Sequence, residues 1–138
     1  MTATPQATDA SNPIGLDGFE FVEFTSPDPA RMVELLNQLG FVATHRHPTK
    51  QATRFAQGDI SLIVNDDEDG QAAAFRKDHG PSANGMAFRV SDAKAAFELA
   101  TRNGANAADP KDGLLGEGSY ALQGIGGSLL YLVDRFGA

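Results

Sequence analysis

The chain writes one pattern twice, and that repetition limits what it can fold into. Gly18 to Phe41 reads GFEFVEFTSPDPARMVELLNQLGF, and Gly85 to Ala105 reads GMAFRVSDAKAAFELATRNGA. The two align without a gap at an offset of 64, so Phe24 falls on Phe88, Asp28 on Asp92, Val33 on Phe97, Leu35 on Leu99 and Gly40 on Gly104. Each copy reads as a strand, an Asp, a helix and a Gly. The Asp accepts hydrogen bonds from the unpaired N–H groups of the first helical turn. The Gly takes the left-handed conformation that closes the helix. Pro29 occupies the first helical position, where its missing N–H costs nothing. Apolar positions 32, 33, 36 and 39, and then 96, 97 and 100, give each helix one buried face.

The remaining segments complete two parallel units. After Gly18–Thr25 and a helix over Pro29–Leu39, strands are expected at Phe41–His45, Ala52–Ala56 and Ile60–Val64. Asn65 to Gly70, NDDEDG, reads as an acidic loop, and Gln71–Lys77 as two turns of helix before Gly80-Pro81. The second unit opens at Gly85, passes through a helix over Ala93–Asn103 and a weak strand at Asn106–Ala108, and ends in strands at Ser119–Gln123 and Ser128–Asp134. The expected fold class is α+β: two β-α-β-β-β modules, about 16–80 and 83–138, sharing one eight-stranded curved mixed sheet. Residues 14–138 then form one domain, preceded by a polar, disordered leader over 1–13.

Composition narrows the functional classes. A net charge of −7 argues against a nucleic-acid surface, which needs a Lys/Arg-rich face. The absence of cysteine excludes disulfides, thiol nucleophiles and thiolate metal sites together. No apolar run approaches the roughly 20 residues that span a bilayer, and residues 1–13 lack the basic start and apolar segment of a signal peptide. A cytoplasmic location is the default expectation.

Four features invite chemistry. The run Gly124-Ile125-Gly126-Gly127 precedes a strand, whereas a phosphate loop must lead into a helix N-terminus, so it reads as a tight turn. His45 and His47 share a strand face without a third ligand, beside Arg46 and Lys50, and read as a solvated basic turn. His79 is expected to fix the turn between the halves. Glu23 and Arg89 both lie on strand faces turned away from the helices, along with Phe19, Phe21 and Thr25. A charge there is exposed or paired, because an isolated buried charge is expensive. Two readings stand: an internal ion pair between Glu23 and Arg89, or a ligand cleft lined by Phe19, Phe21, Glu23 and Arg89.

Four longer stretches carry a family resemblance: NPIGLDGFEFVEF at 12–24, FAQGDISLIVN at 55–65, HGPSANGMAFRV at 79–90 and GIGGSLLYLVDRFG at 124–137. Together they resemble the vicinal oxygen chelate superfamily of glyoxalases and bleomycin-resistance proteins. Within it the sequence is similar to the N-terminal domain of bacterial 4-hydroxyphenylpyruvate dioxygenases. The resemblance implies a complete enzyme that uses non-haem Fe(II), held by two His and one carboxylate of a C-terminal domain, to convert 4-hydroxyphenylpyruvate to homogentisate in tyrosine catabolism. In metal-binding members the first two ligands lie seven residues before each capping Asp, and the third lies in the middle of the last strand. By that correspondence the positions here hold Phe21, Gly85 and Tyr131, none of which suits Fe(II). The resemblance therefore implies a domain without metal or cofactor of its own and without turnover by itself. Its partners would be a catalytic domain of the same fold or further copies of the chain, with no nucleic acid and no membrane. A metal-free small-molecule-binding protein remains the alternative.

Overall fold

The computed structural model describes residues 9–136. Eight of the thirteen residues expected as a leader, 1–8, lie outside the described residues. In the rest, Asp9 Oδ1 accepts the Ser11 N–H at 2.7 Å and the Asn12 N–H at 3.0 Å. The Asn12 side chain then both donates to the Leu16 carbonyl (3.0 Å) and accepts its N–H (2.8 Å), which starts the first strand.

In chain order the elements are β1 (Leu16–Thr25), α1 (Pro29–Gln38), β2 (Val42–Arg46), β3 (Ala52–Gln57), β4 (Ile60–Asn65), α2 (Gly70–His79), β5 (Ser82–Val90), α3 (Ala93–Arg102), β6 (Tyr120–Gln123) and β7 (Leu129–Val133). The strands form one mixed sheet in the order β2-β3-β4-β1-β5-β7-β6. β1 pairs parallel with β4 and β5 parallel with β7, while β1 and β5 run antiparallel at the centre. Both expected caps are present. Asp28 Oδ1 accepts the Arg31 N–H at 3.2 Å and Asp92 Oδ1 accepts the Ala95 N–H at 2.9 Å. Gly40 and Gly104 follow with φ of 99° and 101°, where a side chain would be strained.

The expected eighth strand does not form among the described residues. Asn106–Ala108 reaches β6 through one bridge, Ala107 to Leu122, with only two flanking hydrogen bonds. Asp109-Pro110 ends the pairing, since Pro has no N–H to give a ladder. The chain then folds inward, and Leu114 is buried against the sheet instead of extending it. α2 is longer than expected, ten residues against two turns, with Arg76, Lys77 and His79 in its last turn, where cations suit the helix dipole.

The two faces of the sheet have different cores. On one, α1 packs Leu36 onto Phe41, Phe55 and Val64, and α3 packs Ala96 and Ala100 onto Val90, Leu122 and Leu132. On the other, Phe21, Ile63, Ala87, Leu129 and Tyr131 pack beneath Leu114 of the long loop that follows α3. Gly113 makes this closure close enough. A Cβ there would overlap the Tyr131 hydroxyl and come within 2.8 Å of Leu129 Cδ1. Gly113→Ala should therefore lower stability by ~1–3 kcal/mol, the usual cost of overpacking. Tyr131→Phe in the same chain should return part of that, because it deletes the overlapped atom. Denaturant midpoints of the two variants check this, and an unchanged midpoint for Gly113→Ala would contradict the packing.

Candidate functional site

Adjacency of β1, β5 and β7 gathers Phe21, Gly85 and Tyr131 at the middle of the loop-covered face. The Phe21 and Tyr131 ring centroids are 6.1 Å apart. A Cβ on Gly85 would lie 3.7 Å from the Tyr131 ring and 3.1 Å from Glu23 Oε1. The three positions thus converge, but they present two aromatic rings and a bare Cα. Rings and a glycine offer Fe(II) no set of donors. Among the described residues no group of three His, Asp or Glu is placed to hold a metal. The residues present do not fit the iron that the resemblance implies for the complete enzyme.

Glu23 is the carboxyl at this centre, and it is almost fully buried at 1% exposure. Its Oε2 accepts Asn65 Nδ2–H at 2.9 Å and Asn84 Nδ2–H at 2.7 Å, while Oε1 has no hydrogen-bond partner. Asn84 is held in turn by Gln71 of α2, whose Oε1 accepts from Asn84 Nδ2 at 2.9 Å. Gln71 Nε2 donates to the carbonyls of Asn84 and Gly127, at 2.9 and 3.0 Å. The network joins β1, β4, α2 and β5. Burial pushes the Glu23 carboxyl above its ordinary range, and the hydrogen bonds from Asn84 and Asn65 only partly oppose that. Tyr131 is pushed up as well, by burial first and then by the Glu23 charge, and its hydroxyl has no partner in hydrogen-bonding geometry.

The ion pair expected between Glu23 and Arg89 is not formed. Arg89 Nε instead meets Glu20 Oε2 at 2.8 Å, and its guanidinium lies 4.9 Å from the centre of the Phe136 ring. The physical reason is a β-bulge. Phe19 pairs with Phe88 and Phe21 with Ala87, so two steps on β1 face one on β5. Strict alternation is broken, and Glu20 takes the place expected for Phe19. Phe19 goes to the other side, 58% exposed, and stacks on Phe88 at 5.0 Å. The expected cleft of Phe19, Phe21, Glu23 and Arg89 is therefore not assembled, because two of its members are buried and the other two are engaged elsewhere. A second irregularity, between Glu23 and Phe24, lets β5 place Asn84 beside Gly85 with both buried.

Two of the three histidines serve structure. His45 is exposed on β2, and His47 Nδ1 accepts the N–H groups of Thr49 and Lys50 at 3.2 and 3.0 Å, closing a turn. His79 stacks on Phe75 (4.3 Å), and its Nε2–H donates to the Gly126 carbonyl at 2.8 Å. It thus ties α2 of the first half to the GIGG turn of the second, and does not fix the Gly80-Pro81 turn itself. Asn65, Asn84 and Gln71 were missed as site residues. Asn65 and Asn84 fell just outside the expected strands, which the structure extends to include them, so the sequence carried no signal for them.

Two outcomes follow. Arg89→Ala should shift stability by less than ~1 kcal/mol, since its ion pair is partly exposed, whereas Asn84→Ala removes a buried charge-directed donor and should cost ~1.5–3 kcal/mol. Equal midpoint shifts would contradict the assignment. For Glu23, a raised pKa means that the folded state holds the proton more tightly. Its contribution is complete below the unfolded value of about 4.3 and is lost as pH rises through the folded value. Glu23→Gln should therefore unfold later than the parent chain at about pH 8, with the gap closing towards about pH 4. A pH-independent difference in melting curves would show that the carboxyl is not desolvated.

Comparison with known proteins places the chain in a family. Residues 10–138 match the family model described as hydroxyphenylpyruvate dioxygenase, HPPD, N-terminal. The chain is 45% identical over 129 residues to the 4-hydroxyphenylpyruvate dioxygenase of Pseudomonas aeruginosa, covering 91% of this chain and 36% of that protein. It is 47% identical over 132 residues to hemolysin VllY of Vibrio vulnificus, covering 94% and 37%. A solved xylose isomerase-like TIM barrel/4-hydroxyphenylpyruvate dioxygenase fusion protein superposes with a TM-score of 0.78 at 33% identity, over 96% of this chain and 21% of that one. The chain spans little more than a third of the relatives' length. With its α+β vicinal oxygen chelate fold and its match along almost the whole sequence, the chain belongs to the N-terminal domain family of hydroxyphenylpyruvate dioxygenases.

Proposed function

We propose that this chain is the metal-free, structural N-terminal domain of a dioxygenase that converts 4-hydroxyphenylpyruvate to homogentisate. In this reading Fe(II) and catalysis belong to a catalytic domain of the same fold. The present domain packs against that domain and takes part in oligomerisation, as a cytoplasmic protein whose two halves derive from one duplicated unit. The observation that carries the reading is the state of the three convergent positions: Phe21, Gly85 and Tyr131 lie under Leu114, where a metal-binding relative would need donors and an open coordination site. Among the described residues no helix is long and apolar enough to cross a membrane. Leu35, Leu39, Val42 and Ile60, each more than half exposed, supply apolar surface for association.

Small-molecule binding at Phe21, Glu23 and Arg89 is not favoured, because no cleft opens between them. Metal analysis of tag-free chain should find far less than one iron, zinc or manganese per chain. Added Fe(II) and ascorbate should yield no homogentisate from 4-hydroxyphenylpyruvate above a no-enzyme control. Stoichiometric metal, or chelator-sensitive product, would overturn the proposal.

A further inference from the structure

The long loop covers the centre of its sheet face but not the side towards β2 and β3. There a cavity of about 200 Å³ remains. Its floor is apolar, formed by Phe21, Ala52 and Ile63, and Leu115, 40% exposed, forms one wall. Arg54 borders this cavity and also an adjoining hollow lined by Ser61, Val133, Arg135 and Glu20, whose carboxylate is taken up by Arg89. The chain carries 18 acidic residues against 11 Lys and Arg, yet the rim here is cationic. Among the described residues Arg46, Arg54 and Arg135 have no carboxylate within ion-pairing distance.

Arg54 is the distinctive group. Its half-buried guanidinium lies across the sheet face, where Nε and Nη2 donate to Ser61 Oγ at 3.1 and 2.8 Å and Nη1 donates to Thr44 Oγ1 at 2.9 Å. Two hydroxyls fix the direction of the fork without neutralising its charge. Of the five N–H donors of a guanidinium, those left over have no protein acceptor among the described residues. A fixed, uncompensated planar cation beside an apolar floor matches a ligand with one carboxylate and a small hydrocarbon body. A phosphate would satisfy the cation but leave the floor wet, and a neutral hydrocarbon would do the reverse.

We propose that this cavity is a binding site for a small apolar monocarboxylate, with the carboxylate on Arg54 and the body against Phe21, Ile63 and Leu115. The site is independent of any metal and of the structural role assigned above. It also differs from the four-residue cleft expected from the sequence, sharing only Phe21 with it. Nothing in it requires turnover: the ligand is held, not transformed.

Benzoate is a suitable probe, titrated into isotope-labelled chain at constant ionic strength while the amide signals of Ile63 and Leu115 are followed. Saturable shifts at those signals are expected. Benzamide, which lacks the charge, should bind at least about tenfold more weakly, as should benzoate to Arg54→Gln, since a charge-assisted hydrogen bond is lost in each case. Leu115→Glu, a change at the half-open mouth that leaves the sheet contacts intact, should also weaken benzoate by about tenfold or more. Shifts that fail to saturate, or affinity that is the same for benzamide or for Arg54→Gln, would overturn the proposal. Inorganic phosphate binding as tightly as benzoate would overturn the choice of an apolar carboxylate.

Discussion

The Glu23 carboxyl, shut in between β4 and β5 with only amide donors for company, is the constraint on which the covered face depends. A carboxyl in that position must be hydrogen-bonded, neutral or both. The fold answers with Asn65 at the end of β4 and Asn84 at an irregularity of β5, and Gln71 of α2 holds Asn84 in place. One buried polar group thus recruits three elements. The network helps to seat α2, since Gln71 holds Asn84 of β5 and donates to the Gly127 carbonyl, beside the His79 bond to Gly126.

The middle of the same face is filled by rings. Phe21 and Tyr131 pack side by side there, and the loop after α3 closes over them with Leu114. The closure leaves Glu23 Oε1, Asn84 Oδ1 and the Tyr131 hydroxyl buried without partners. Such atoms cost stability, and a packed apolar core around them offsets that cost. Towards β2 and β3 the closure stops, and Arg54 keeps its charge beside an apolar floor.

Much of the fold was legible because it rests on local chemistry. Asp28 and Asp92 cap their helices, Gly40 and Gly104 close them, and the apolar stripes at 32, 33 and 36 and at 96, 97 and 100 lie on the buried faces. Leu39, the last member of the first stripe, is exposed because the helix ends at Gln38. The eighth strand was not legible, since whether three residues pair depends on what the following loop gains by turning inward. The burial of Glu23 was anticipated as one of two options, but its partners were not.

The sequence alone determined the two capped helices and most strand positions, and four long stretches carried the family resemblance. These follow from residue type at a given spacing, which neighbours along the chain decide. Only the tertiary structure decided that Arg89 pairs with Glu20, that Asn65 and Asn84 serve Glu23, and that Arg54 stands without a counter-charge among the described residues. Each of these depends on register between strands. A single bulge residue moves a side chain to the opposite face of a sheet, and that shift has no local signature in the residues it moves.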